Sequence, residues 1–189
     1  GSLANTATLT NTGTLTNESG SSLSNSGKVT NAAGTVMNNA GTLTNATGAE
    51  LHNAGTLTNS TGGTLTNAGL LKNYTAGSIT NSTGATLTNT GTVSNTVGGT
   101  VDNAGTLTNT TGAAVYNLGS LTNNGSFENQ TGGTIHNYPT GTLTNSAGAT
   151  LTNSGTLINY KSSDSDARGT IMNAGTLTNA TGAQLRNSG

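Results

Sequence analysis

Four tyrosines and one short charged segment carry nearly all the chemistry this sequence offers. Tyr74, Tyr138 and Tyr160 each directly follow an asparagine (Asn73, Asn137, Asn159), and Tyr116 precedes Asn117. The segment 161–168, KSSDSDAR, brings Lys161, Asp164, Asp166 and Arg168 together. Aromatic rings beside polar donors suit sugars, which offer apolar faces and hydroxyl edges. These eight residues are the candidate contact site for a glycan or another partner; tyrosines packing on one another at a corner is the plainer reading. Asp164 and Asp166 resemble half of a calcium loop but lack the glycine and distal glutamate that complete one. The segment therefore reads as a solvated excursion, and no metal or other cofactor is expected. His52 and His136 lie too far apart to share a ligand and read as surface residues. No Ser-His-Asp or Cys-His set can be assembled, and no cluster of acids lines any face. The chain is not expected to be an enzyme, and polysaccharide cleavage is the weakest reading.

The elements that must position these residues are written in a repeat. The stretch GTLTNATGAELHNAGTLTNSTGGTLTN, from Gly41 to Asn67, holds four copies of one unit: an aliphatic residue, any residue, an asparagine. The chain repeats it 26 times, from Leu3/Asn5 to Leu185/Asn187, and Val36/Asn38 is taken as one copy. Of the 25 spacings, eleven are 6, eleven are 8, two (either side of Val36) are 7, and one, across the charged segment, is 14. Within a unit, as in Thr42-Leu43-Thr44-Asn45, residues alternate between inside and outside, the period of a strand with one buried face. Glycine-marked turns separate the units and exclude helix.

Composition alone would point elsewhere. The 189 residues include 29 Gly, one Pro, no Cys and no Trp, and only 6% are charged, with a net charge of −1. Leu, Ile, Val and Phe make up only 30 residues, but 26 of them fall on the grid. Disorder by charge repulsion needs a high net charge, which this chain lacks. It reads as ordered. Without a basic stretch no nucleic acid partner is expected, and without a run of 18 apolar residues no membrane insertion is expected.

Strands this short must stack on copies of themselves, which makes a β-solenoid. Grouping units by three gathers Lys28, Glu50, His52, Lys72, Tyr116, His136 and Arg186 on one face; grouping by two scatters them. The expected fold is all-β: a three-sided parallel β-helix (β-solenoid) of about nine coils of 20–22 residues, roughly 40 Å long at about 4.8 Å per coil. Residues 1–189 form a single rod with a loop insertion at 160–169, in contact with flanking coils of a longer array, since no polar cap closes either end. In this register Tyr138 and Tyr160 fall on adjacent coils. The asparagines, Asn45, Asn67, Asn89 and Asn109 among them, are expected to form a structural ladder, bonding to the next coil's amide and to turn backbone. Glycosylation triplets at Asn45, Asn59, Asn81, Asn109 and Asn179 are by-products of the repeat. The first face carries Thr42/Thr44, Thr64/Thr66, Thr86/Thr88 and Thr106/Thr108, a hydroxyl lattice of the kind an ice-binding face would use, interrupted by Glu128.

The units GTLTNAT, NAGTLTN and GGTLTNAG resemble the rods of filamentous haemagglutinin-like, two-partner-secreted bacterial adhesins over essentially the whole chain. That resemblance implies the right-handed β-helix and a stalk, extracellular or on the bacterial cell surface, whose partners are extracellular polysaccharide or a host or bacterial surface. The alternatives are an ice-binding solenoid and a phage or viral fibre segment.

Overall fold

A computed structural model describes residues 1–188. Every regular element among them is a four-residue strand, and there are 26, each ending in asparagine. Three parallel sheets result, in which every strand pairs with the strands three before and three after it in the chain. The first sheet has nine strands, from Ser2–Asn5 to Thr176–Asn179, and the second has nine, from Thr8–Asn11 to Gln184–Asn187. The third has eight, from Thr14–Asn17 to Thr170–Asn173. The chain is a three-sided β-solenoid of eight full turns and two strands of a ninth.

The register keeps like against like: Leu65 pairs with Leu43 and Leu87, and Asn67 with Asn45 and Asn89. Alternation turns the aliphatic column inward, so that Leu57, Leu65, Leu71, Phe127 and Leu151 have no exposed surface. One unit differs from the expectation. In the strand Val36–Asn39 it is Met37, 1% exposed, that enters the core opposite Leu15 and Leu57, while Val36 lies outward. Both Val36/Asn38 and Met37/Asn39 satisfy the repeat, but only the second keeps the spacing even. An odd spacing would turn every side chain of that strand over.

Two kinds of turn join the strands. Where the spacing is 8, a β-turn closes with a backbone bond of 2.7–3.2 Å, as from Gly63 N to Ser60 O, and its third residue has a φ between 64° and 82°. That is the signature of a type II turn, which suits glycine. Where the spacing is 6 and a coil lies before the link, glycine is required for room: a Cβ on Gly69 would run into the carbonyl oxygen of Ala49 on the coil before, whereas the first coil, with none before it, accepts Ala7.

The corners are held by asparagine. In each of three columns the Nδ2 of one asparagine donates to the Oδ1 of the next coil's asparagine at 2.7–2.9 Å, as along Asn45, Asn67, Asn89 and Asn109. The same Nδ2 of Asn67 also donates to Gly69 O at 3.2 Å in its own turn and to Thr92 O at 2.8 Å in the next coil. These side chains are fully buried, and burial is tolerated because each amide both donates and accepts. Replacing Asn89 by Ala takes the donor from Asn109 Oδ1 and from Ala114 O and leaves Asn67 Nδ2 with two of its three acceptors, and should cost about 3 kcal/mol. Asn124→Ala loses one exposed bond, to Asp102 Oδ1, and should cost less than about 1 kcal/mol; urea denaturation of the two variants checks the contrast.

Candidate functional site

The candidate residues sit along the edge where the second sheet turns into the third. Each outward-facing side chain just before an asparagine on the second sheet has a neighbour in register on the next coil: His52 beside Lys72, Tyr116 beside His136, His136 beside Ile158. Each edge tyrosine, one residue past its asparagine, leans back over the coil before. Tyr74 meets His52 with ring centroids 5.3 Å apart, Tyr138 meets Tyr116 at 6.2 Å, and Tyr160 meets His136 at 5.7 Å.

Three of the four tyrosines come together. Tyr138 and Tyr160 stack with centroids 5.0 Å apart and planes 10° apart, and His136 stacks on Tyr138 at 6.0 Å. Tyr116 closes the row against His136 at 5.2 Å. Two nearly parallel rings at 5.0 Å must overlap face to face, so the faces of Tyr138 and Tyr160 are occupied in part by each other. Tyr74 belongs elsewhere. Its coil is separated from that of Tyr116 by the coil carrying Ser94 and Thr96.

The histidines were expected to be solvated surface residues; both face outward but are half-buried under tyrosines. The side chain of His52 is only 13% exposed. Its Nε2 lies 3.2 Å from Glu50 Oε2 and its Nδ1 3.2 Å from the Tyr74 hydroxyl. Lys28 Nζ stands 3.6 Å from the same Glu50 oxygen, and Lys72 Nζ 4.8 Å from the Tyr74 ring centre. Burial, then the field of Lys28, lowers the His52 pKa from its ordinary 6.5, against an opposing pull from Glu50. A neutral ring that gives its Nε2 hydrogen to Glu50 accepts the Tyr74 hydroxyl hydrogen at Nδ1. This carboxylate–imidazole–phenol line orients the ring and ties two coils together. The pKa of His136 is likewise lowered by burial, and its Nδ1 shares a hydrogen bond of 2.9 Å with the Tyr160 hydroxyl. Burial and the neighbouring Tyr160 and Tyr116 raise the Tyr138 pKa. The signal in the sequence was an aromatic just before one asparagine and a tyrosine just after the asparagine 20–22 residues on, legible only once the coil length is known.

The inserted segment leaves from Tyr160. Lys161 and Arg168 pair as an antiparallel bridge, and Ser162 N donates to Ala167 O at 2.9 Å, making a small hairpin. Asp164 accepts from Ser163 Oγ at 2.8 Å, and both aspartates are exposed. Among the described residues no three His, Cys, Asp or Glu side chains gather in a metal-holding group. On the first sheet Thr42, Thr64, Thr86 and Thr106 align in one row and Thr44, Thr66, Thr88 and Thr108 in another, interrupted at Ser126 and Glu128 before Thr150 and Thr152 resume them. Of the glycosylation triplets, Asn45, Asn59, Asn81 and Asn109 are buried in the ladder; Asn179 is exposed.

Both histidines bind protons less readily folded than unfolded, so the unfolded chain takes up more protons as pH falls through 6.5. Stability should be flat above that value and fall below it, toward the lowered folded pKa values. Melting temperatures at pH 7.5 and about pH 5 check this, and His136→Gln should reduce the difference between them.

No curated protein matches the chain. Among solved structures it is similar to the TibC-catalysed, hyper-glycosylated TibA fragment 55–350, at 18% identity over 99% of this chain and 95% of that one. The TM-score of 0.22 is too low for that likeness to carry an argument. Residues 34–189, most of the chain, match the family described as the BigA fourth domain. The chain belongs to the BigA fourth domain family.

Proposed function

We propose that this β-solenoid is a non-enzymatic stalk of a bacterial adhesin, extracellular or on the cell surface, that sets the reach between the cell and what it adheres to. The observation that carries the reading is the continuity of the asparagine ladders, which tie every coil to the next from Asn5 to Asn179 and from Asn11 to Asn187. A rod whose coils contact only their neighbours has a length set by coil number. The resemblance of its units to filamentous haemagglutinin-like rods supplies the adhesin part of the proposal. Extracellular polysaccharide or a host or bacterial surface is the proposed partner of the whole protein.

A bacterium displaying the parent protein without this segment should adhere less well, and a solenoid of equal length but unrelated surface should restore adhesion. Failure of the surrogate at equal display and equal length would contradict the stalk reading and place binding on the rod's own surface. The aligned threonine rows favour a second reading, an ice-binding face. Their break at Glu128 leads us to expect no thermal hysteresis; a strong signal abolished by Thr86→Lys would put that reading first.

A further inference from the structure

Three turns of the rod break its glycine rule, and the same three begin with tyrosine. Of the twelve type II turns, ten place glycine in the left-handed third position; the exceptions are Ala76 at a φ of 64° and Thr140 at 79°. A thirteenth turn keeps the closing bond, from Gly169 N to Tyr160 O at 2.8 Å, but holds residues 161–168 inside it. The first residue of these three turns is Tyr74, Tyr138 or Tyr160, whereas in the ten glycine turns it is Ala, Ser, Thr, Glu or Gln. Each of the three tyrosines covers a ring one coil earlier, and those rings, His52, Tyr116 and His136, are the only aromatic residues at outward strand positions among the described residues. All six residues are thereby accounted for, in three pairs.

We infer that each pair is a clamp, which holds the start of a turn that glycine does not hold. It makes the edge between the second and third sheets the one where the rod accepts irregular turns and inserted hairpins. The costs to be offset are of two kinds. Thr140 is β-branched and left-handed, a conformation such residues rarely adopt. The hairpin at 161–168 has no ladder bonds of its own, and closing a longer loop costs entropy. Ring-to-ring contact at the first residue of the turn supplies an anchor outside the sheet. Additional ties act at the same places: Thr140 Oγ1 donates to Leu118 O at 3.0 Å, and Tyr74 and Tyr160 bond their histidines through the hydroxyl. Tyr138 acts through its ring. The clamp concerns how turns are held, and it stands whether or not the rod belongs to an adhesin.

Native-state hydrogen exchange tests it at the Gly141 amide, which donates to Tyr138 O at 2.8 Å, with the Gly99 amide of a glycine turn as internal reference. Tyr138→Ala should speed exchange at Gly141 by about tenfold or more and leave Gly99 unchanged. Tyr138→Phe keeps the ring and should stay within about twofold of wild type, while Tyr138→Ala with Thr140→Gly should return to within about threefold. Tyr160→Ala should raise the rate of tryptic cleavage at Lys161 or Arg168 about tenfold with the rest of the rod intact. Unchanged exchange at Gly141 in Tyr138→Ala, or equal loss in Tyr138→Phe, overturns the inference. So does failure of Thr140→Gly to restore protection.

Discussion

The structure depends on one side-chain hydrogen bond made again at every step, from the amide of one asparagine to the amide of the next. A coil of this rod buries only three sizeable apolar side chains, and its corners would otherwise enclose unsatisfied polar groups. Asparagine answers both needs. It is short enough to stay at the corner, and its amide donates on one side and accepts on the other, so a column can continue without end. The columns also fix register, because sliding a strand by one residue would set asparagine against threonine and turn leucine outward. Their polarity is opposed by the backbone beside them. Asn45 Nδ2 donates forward to Asn67 at 2.7 Å, while the backbone N–H of Ala68 donates back to Asn45 O at 2.7 Å.

Ladders at all three corners leave the turns with few duties, and the turns divide accordingly. Short links need glycine because the coils approach too closely for a Cβ; longer ones need it for a left-handed backbone. The edge between the second and third sheets is where these duties are relaxed. There alanine and threonine occupy left-handed positions and a hairpin enters the chain. The aromatic and charged residues of the second sheet gather beside it. A surface otherwise made of threonine and serine thus has one differentiated edge, which is where contact with a partner would be most readily distinguished from the uniform rod.

Most of the fold was legible in the sequence because two periodicities agree. Strand alternation within Thr42-Leu43-Thr44-Asn45 and the return of the unit every three strands both point to a three-sided solenoid. Met37 was missed because Val36 and Met37 each have an asparagine two residues later, and apolar character alone cannot choose between them. Parity can, since every other spacing is even. The histidines were missed for another reason. Taken singly, His52 and His136 are outward residues on a strand, and what buries them arrives 22 and 24 residues later as Tyr74 and Tyr160. The same distance joins Tyr116 to Tyr138, so the edge was encoded in coil-length pairs rather than in any local motif. Tyr74 was grouped with Tyr138 and Tyr160 by its place after an asparagine, but the intervening coil separates it from the stack.

Exchange of the asparagine side-chain NH2 protons, resolved by NMR, tests the ladder most directly. If the columns hold the rod together, the Nδ2 protons of Asn45, Asn67, Asn89 and Asn109 should exchange as slowly as neighbouring backbone amides, at least about a hundredfold slower than those of Asn38, which faces outward beside the ladder. Exchange at the Asn38 rate in a folded rod would mean that the amides are not bonded coil to coil, and would contradict the account.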